Sequence, residues 1–367
     1  MSGCLRRREF IAALGGAAAW PLAGRAQQSG GPLDELIAMQ MKDHLIPGLA
    51  VAVLQNGKVV KAQGYGYADI KRKKLATTKT VFQIASVTKQ FVASGVMILV
   101  EGSKLSTDAP ITEYLHNVPT AWNGVTVHHL LTHTSGIQDY QDSSAAAKTD
   151  LSRDPQLRGL VRTMALQFRP GEKWEYSNSN YVLLGEIIGQ VSGKSWDRFL
   201  VDRLFHDLGM AATHRRVIDD PAMAIGYMVR TNGGSPAPSL PSALWDNGDG
   251  GLVSTAEDMA KWDMALSAGI VVTQRSIDEM YRRTKLNSGK EVDYGYGMVV
   301  NVVGKHRIIG HGGGRPGVAA NFTRWLDDGI QSPFLPTQKP IQIRPTKSPE
   351  VLLSFTFPTS LDFGPRL

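Results

Sequence analysis

The sequence predicts an α+β protein, in which an antiparallel sheet flanked by helices is assembled from both ends of the chain around an inserted helical lobe. Three observations carry that reading. LAVAVLQ at 49–55 and KVVKAQGYGYA at 58–68 flank an Asn56-Gly57 pair, the strongest short-range signal for a two-stranded hairpin. From about 76 to 245 helical patterns alternate with Pro- and Gly-rich loops, and strand patterns return at 294–304 and 306–325. A chain of 367 residues suits two lobes, at roughly 150 residues each, with a cleft where they meet.

The first element is an address rather than structure. Arg6, Arg7 and Arg8 precede Phe10-Ile11 and a short apolar run that ends near Ala26, which resembles a twin-arginine export signal over residues 1–26. The run falls short of the ~20 residues that span a bilayer, and no later segment is long and uncharged enough, so no membrane span is expected. A periplasmic or secreted protein follows. Cys4, the sole cysteine, lies in this leader, so the mature chain would carry no disulfide. Arg6, Arg7, Arg8 and Arg25 against Glu9 put three of the seven net positive charges there, leaving four. That balance, and a Lys71–Lys74 run without interleaved aromatics, argues against nucleic acid as a partner.

The main domain over 27–330 follows, with a sheet lobe at about 33–75 and 246–330 and a helical lobe at about 76–245. Within it come a helix at about 33–44, the hairpin, and a buried helix from Ser86 to Gly102. TNGGSPAPSLPS at 231–242 is a loop by composition. Beyond Gly329 the prolines at 333, 336, 340, 345 and 349 argue against a central strand, so residues 331–367 read as an atypical tail with VLLSFTF at 351–357 as a substitute strand. A missing strand there would leave an open sheet edge.

The chemistry begins at Ser86-Val87-Thr88-Lys89. Residues i and i+3 share a helix face, so Lys89 reaches the Ser86 hydroxyl and supplies the base that a serine nucleophile requires. The helix N-terminus adds backbone N–H groups where an oxyanion would form. Taken alone, Ser86 reads equally as a helix cap with Lys89 solvated. Likewise Tyr176 and Asn178 read as a buried aromatic and a turn former, and His311-Gly312-Gly313-Gly314 as a hairpin turn. S-x-x-K, Y-x-N and H-x-G each occur once, in that order.

With the flanking blocks FQIASVTKQF, HLLTHTSGI, FRPGEKWEYSNSNYVLLGEII, GDGGLVSTAEDMAKW, YGYGM and IGHGGGRPG, the chain from about 33 to 329 resembles the serine beta-lactamase and penicillin-binding-protein superfamily. It is most similar to the class C-like branch of D-alanyl-D-alanine carboxypeptidases and beta-lactamase-like esterases. The resemblance implies a beta-lactamase/transpeptidase-like fold. It makes Ser86 the acylated nucleophile, Lys89 its base and Tyr176 the activator of the serine or of the deacylating water. Asn178 would present its amide to the substrate carbonyl and to Lys89, and His311, Gly313 and Gly314 would line the opposite wall. The Gly314 and Ser86 N–H groups would form the oxyanion hole. Lys89 and Tyr176 would titrate as a coupled pair, the ammonium favouring the phenolate.

Other chemistries fit less well. HGGG also builds an oxyanion hole in alpha/beta-hydrolases, but there it precedes a G-x-S-x-G elbow that this chain lacks. His129 and His133 stand i, i+4, yet Leu130 occupies the place of the zincin glutamate, so no metal is implied. Gly64 and Gly66 lack the third glycine of a dinucleotide loop. The resemblance requires neither metal nor organic cofactor. It implies a secreted serine hydrolase of small esters or amides, with peptidoglycan peptides among its substrates. His311 and Gly312 stand where penicillin-recognising members offer Lys and Thr to a carboxylate, a contact Arg315 could replace, so the reading leans to esterase or peptidase over beta-lactamase. A catalytically impaired peptidoglycan-binding homologue is the contrasting reading, and it rests on the altered C-terminus.

Overall fold

Asn56 and Gly57 both adopt left-handed backbone, φ 52° and 74°, and close the expected hairpin of β1 (Gly48–Gln55) and β2 (Lys58–Asp69). The computed structural model describes residues 31–146, 149, 154–217, 220–228, 237–239 and 247–336. The leader at 1–26, most of the loop at 231–242 and the tail from 337, VLLSFTF included, lie outside them.

Helix α1 (Pro32–Asp43) starts as its sequence predicts, with a proline in its first turn and Asp34 and Glu35 beside the positive helix end. The period-two pattern of β1 then sorts its side chains. Leu49, Val51 and Val53 pack with Ile37 and Ile46 under α1, while Ala50, Ala52 and Leu54 join the main core on the other face. A short β3 (Lys74–Leu75) follows, then β4 (Phe82–Gln83), and a 3-10 turn at Ala85–Val87 leads into α2 (Thr88–Glu101). Every α2 residue from Thr88 to Leu99 is buried, as expected of a helix apolar nearly all round.

The helical lobe continues through α3 (Val127–Leu131), α4 (Asp154–Val161), α5 (Asn178–Ser192) and α6 (Trp196–Leu200), with α2 packed on α5 and α6. Small strands β5 (His214–Arg215), β6 (Tyr227–Met228), β7 (Ala237–Pro238) and β8 (Leu252–Ser254) lead back to the sheet, and β8 pairs with β4. Helix α7 (Ala256–Ser267), capped by the Thr255 hydroxyl, covers the sheet beneath β1. Next come α8 (Gln274–Met280), β9 (Thr284–Lys285), β10 (Glu291–Val292), β11 (Val299–Val303), β12 (His306–Arg315), β13 (Val318–Trp325) and β14 (Ile330–Pro336).

Seven strands run in the order β11-β12-β13-β14-β1-β2-β3, so the two ends of the chain do build one antiparallel sheet. Two expectations fail. The strand expected at 294–304 begins only at Val299, because Gly297 at φ 71° turns the chain and Tyr294 meets Val299 in an isolated bridge. The second failure matters more. Residues 330–336 form a central strand between β13 and β1 despite Pro333 and Pro336, so the predicted open edge beside the HGGG strand is filled. Proline lacks an N–H, and the β1–β14 ladder is broken where that shows: Leu49, Ala50 and Val51 pair with 336, 335 and 334, and Leu54 and Gln55 with 331 and 330. Ala52 and Val53 stand opposite the gap, next to the bulge that β1 makes with β2. A central strand tolerates proline when one neighbour's ladder skips that position.

Candidate active site

Ser86 sits in the 3-10 turn, half-buried, directly before the buried helix that carries Lys89. Ala85 holds the turn in the left-handed region at φ 43°, a conformation that costs a non-glycine residue about 1–3 kcal/mol and aims the next side chain outward. The turn is pinned from two sides. Ile84 N–H donates to the Leu252 carbonyl at 3.1 Å, and β12 packs on it through Gly313, where an added Cβ would lie 2.1 Å from the Ile84 carbonyl oxygen. Gly313 is therefore a contact glycine, while a Cβ on Gly314 would point into open space.

Lys89 is fully buried, which removes the reading of it as a solvated charge beside a helix cap. Its Nζ donates to Ser86 Oγ at 3.1 Å, to Asn178 Oδ1 at 2.8 Å and to the Asp249 carbonyl at 2.6 Å. Those three bonds use all three protons of the ammonium. Burial pushes Lys89 down to about 8, against the opposite pull of the Asp249 and Asp139 charges. When one proton leaves, Asn178 and Asp249 retain the other two, and the lone pair faces Ser86. In that state the amine can accept the proton of that hydroxyl.

Tyr176 is half-buried, and its phenol is hydrogen-bonded with Ser86. The Lys89 ammonium lies 4.9 Å from the centre of the Tyr176 ring, over its face. Burial raises the phenol above its ordinary value, and this outweighs the lowering by the Ser86 bond. Lys89 and Tyr176 thus move apart: the amine drifts toward neutrality and the phenol stays protonated. The expected phenolate fails because desolvation acts on both groups, and the nearby Asp139 and Asp249 charges oppose a second anion.

Asn178 opens α5. Asp139 Oδ2 accepts both its backbone N–H, at 3.0 Å, and its side-chain Nδ2, at 2.8 Å. With Nδ2 held there, Oδ1 is left facing Lys89. The amide orientation follows from this network. Burial pushes Asp139 up to about 6, and it raises Asp249, whose carboxylate takes a hydrogen bond from the Tyr140 hydroxyl at 2.8 Å. Asp139, Tyr140 and Asp249 are neighbours of the site that motif reading missed. Asp249 lay inside the quoted GDGG block, while Asp139 stands two residues past HTSGI, outside any of them. The signal was chemical rather than positional, since a buried lysine needs acceptors.

His311 is buried on β12, and the Lys89 charge adds to burial in driving it down to about 3, so it is neutral. Both ring nitrogens are engaged, Nε2 with the Tyr294 hydroxyl at 3.0 Å and Nδ1 with the Gly312 carbonyl at 2.6 Å. Its ring centre lies 6.1 Å from that of Tyr176. Arg315 is buried too, and its Nη2 donates to the Gly250 carbonyl at 2.6 Å. The three clustered histidines separate: His129 closes the capping box of α3 with Thr126, His128 meets Tyr296 at 2.8 Å, and His133 meets Tyr294 at 3.2 Å.

The site therefore brings a hydroxyl, a buried amine of lowered basicity, a protonated phenol and an oriented amide together against a glycine-rich strand. In sequence and in fold the chain is similar to known proteins. Over 304 residues the chain is 31% identical to Penicillin-binding protein 4* of Bacillus subtilis (strain 168), covering 77% of this chain and 66% of that one. With the Putative penicillin-binding protein PbpX of the same strain it shares 31% identity over 270 residues, 73% of this chain and 65% of that one. The chain thus spans about two thirds of the length of these curated relatives. Its fold superposes on the octameric penicillin-binding protein homologue from Pyrococcus abyssi with a TM-score of 0.77 and 28% identity, covering 85% of this chain and 74% of that one. The D-amino acid amidase from Ochrobactrum anthropi SV3, in complex with L-phenylalanine amide, gives 0.71 and 27%, over 84% and 92%. Residues 33–330 match the Beta-lactamase family, and with these likenesses in sequence and fold the chain belongs to that family, within the serine beta-lactamase and penicillin-binding-protein superfamily.

Proposed function

We propose that this protein is an exported serine hydrolase that forms an acyl-enzyme on Ser86 and turns over small esters or amides. The observation that carries the proposal is the donor pattern at Lys89, whose deprotonation leaves a lone pair only toward Ser86. In the acylation step Ser86 Oγ bonds to the substrate carbonyl carbon and its proton passes to Lys89. The oxyanion is met by the N–H groups of Ser86 and Gly314. As the tetrahedral species collapses, Tyr176, held protonated by burial, gives its proton to the leaving oxygen or nitrogen and is reprotonated from Lys89. Water then attacks the acyl carbon by the reverse proton path. An ester or simple amide is favoured over a substrate recognised by its carboxylate, because His311 is neutral and Arg315 Nη2 is committed to Gly250. The amidase relative, whose complex holds L-phenylalanine amide, points the same way. Of the reasons for reading an impaired remnant, the open sheet edge is gone, because β14 fills it.

A fluorophosphonate probe applied to fractionated cells and to purified protein tests this. A labelled, processed band is expected in the exported fraction, with Ser86 as the labelled residue. The labelling rate should climb as pH rises through about 8, because only the neutral amine accepts the serine proton. Absence of labelling in folded protein, or a rate flat between pH 6 and 9, contradicts the assignment.

Tyr176→Phe keeps the ring and removes the proton donor. Turnover of p-nitrophenyl acetate should fall by about 10²- to 10⁴-fold with the melting temperature little changed. A stable variant with parental turnover would take Tyr176 out of the proton path.

A further inference from the structure

Two of the sequence blocks, HLLTHTSGI and YGYGM, have no part in the reaction just described, yet they meet beside it. His133, the second histidine of the first block, is buried and held in the left-handed region at φ 57°. Its Nδ1 accepts the Ser177 backbone N–H at 3.2 Å, with Asn180 Nδ2 at the same distance, which puts its ring proton on Nε2. That nitrogen is 3.2 Å from the hydroxyl of Tyr294, the first residue of the second block, and the same hydroxyl is 3.0 Å from His311 Nε2. At the far end His311 Nδ1 lies 2.6 Å from the Gly312 carbonyl, which can only accept, so His311 carries its proton on Nδ1.

The direction of every bond follows from the two ends. Ser177 N–H gives to His133, His133 to Tyr294, Tyr294 to His311, and His311 to Gly312, while the Tyr181 side chain also meets the Tyr294 hydroxyl. One end is an amide donor and the other a carbonyl acceptor, so the chain cannot reverse and carries no proton along its length. It acts as a strut. It starts at the residue between Tyr176 and Asn178 on the helical lobe. It ends at the peptide preceding Gly313, which packs on the turn that holds Ser86.

We infer that Tyr294 is a positioning residue which, with His133, spans the cleft behind Ser86 and sets the distance between the Tyr176–Asn178 wall and the His311–Gly314 wall. This rests on the proposed hydrolase reading. Phenol bridging is needed because the two histidines each present Nε2 to the gap, and a group that both accepts and donates must stand between them. Phenylalanine fills the same volume and does neither. The groups facing His311 are Lys89, His133, Tyr176 and Tyr294.

The experiment pairs nitrogen-15 NMR of the histidine rings with acylation kinetics on the full-length protein and Tyr294→Phe. The parent should show His311 as the Nδ1–H tautomer and His133 as the Nε2–H tautomer. In Tyr294→Phe the fluorophosphonate labelling rate should drop by about 100-fold, the effect of misplacing reacting groups by about an ångström. His311, no longer offered a donor at Nε2, should protonate at a higher pH than in the parent, read from the same nitrogen-15 shifts. A group that only fills space would move neither the tautomer nor that titration. Parental His311 protonated at Nε2 overturns the inference whether or not the variant folds, and so does a Tyr294→Phe protein with the parental rate and the parental His311 titration. If the parent itself is never labelled, the hydrolase reading falls, and the tautomers of His133 and His311 still decide whether the strut exists.

Discussion

Ser86→Ala is expected to abolish fluorophosphonate labelling and to lower ester hydrolysis by on the order of 10⁴-fold or more, with the fold intact. The loss is large because the bond-forming atom is removed, and the remaining groups can only assist attack by water. Stability should change by about 1 kcal/mol or less, for three reasons. The side chain is small and half-buried, so no cavity opens. Lys89 keeps two acceptors, Asn178 Oδ1 and the Asp249 carbonyl. The left-handed Ala85 is unaffected, since its conformation is set by Ile84 bonding to Leu252 and by the packing of Gly313. Mass spectrometry of probe-treated protein, steady-state hydrolysis and a melting curve on the same preparation check this. A variant that hydrolyses at the parental rate removes Ser86 as the nucleophile.

How much of this was legible in the residues depended on whether the cause was local. The β1–β2 hairpin and the buried helix after Ser86 were legible because a turn pair, an alternation of two and an apolar run are written in neighbouring residues. Ser86 with Lys89 was legible for the same reason, being one helical turn. Asn178 could be named, but its orientation could not, because that is set by Asp139, 39 residues away in the chain. The misread strand β14 failed on a rule that holds residue by residue, that proline breaks a ladder. Whether the break is tolerated depends on the neighbour, and β1 supplies a bulge and two positions that pair with β2 but not with β14 there. Tyr294 is the extreme case. Its hydroxyl matters only because two histidines from separate lobes present Nε2 to it, an arrangement that no spacing encodes.

Lys89→Met should be nearly as damaging to turnover as loss of Ser86, since members of one catalytic unit are strongly non-additive, and unlike Ser86→Ala it should also make stability depend on pH in a definite direction. Methionine matches the length of the stem and fills the buried site. It offers no donor, so Asn178 Oδ1 and the Asp249 carbonyl lose their partner, at about 1–3 kcal/mol for each acceptor left buried without one. The charge also goes. Burial raises Asp249, and the Lys89 charge lowers it. Removing that charge therefore raises the folded-state value of Asp249 further. A carboxyl raised on folding favours the folded state below its unfolded value near ~4, and that advantage is lost as pH rises through the folded value. The variant's shortfall should accordingly widen from pH 4 to pH 7. Above about 8 the parent gains in its own right. Its lysine is lowered from 10.5 to about 8, so between those values the unfolded chain binds more protons and parental stability rises with pH. Methionine has no such gain, and the gap should keep widening to about pH 10. Melting temperatures of both proteins at half-unit steps from pH 4 to 10, with labelling measured alongside, give the result. A gap that narrows as pH rises would show that Lys89 is not the charge balancing Asp249, and retained labelling would show that Ser86 finds its base elsewhere.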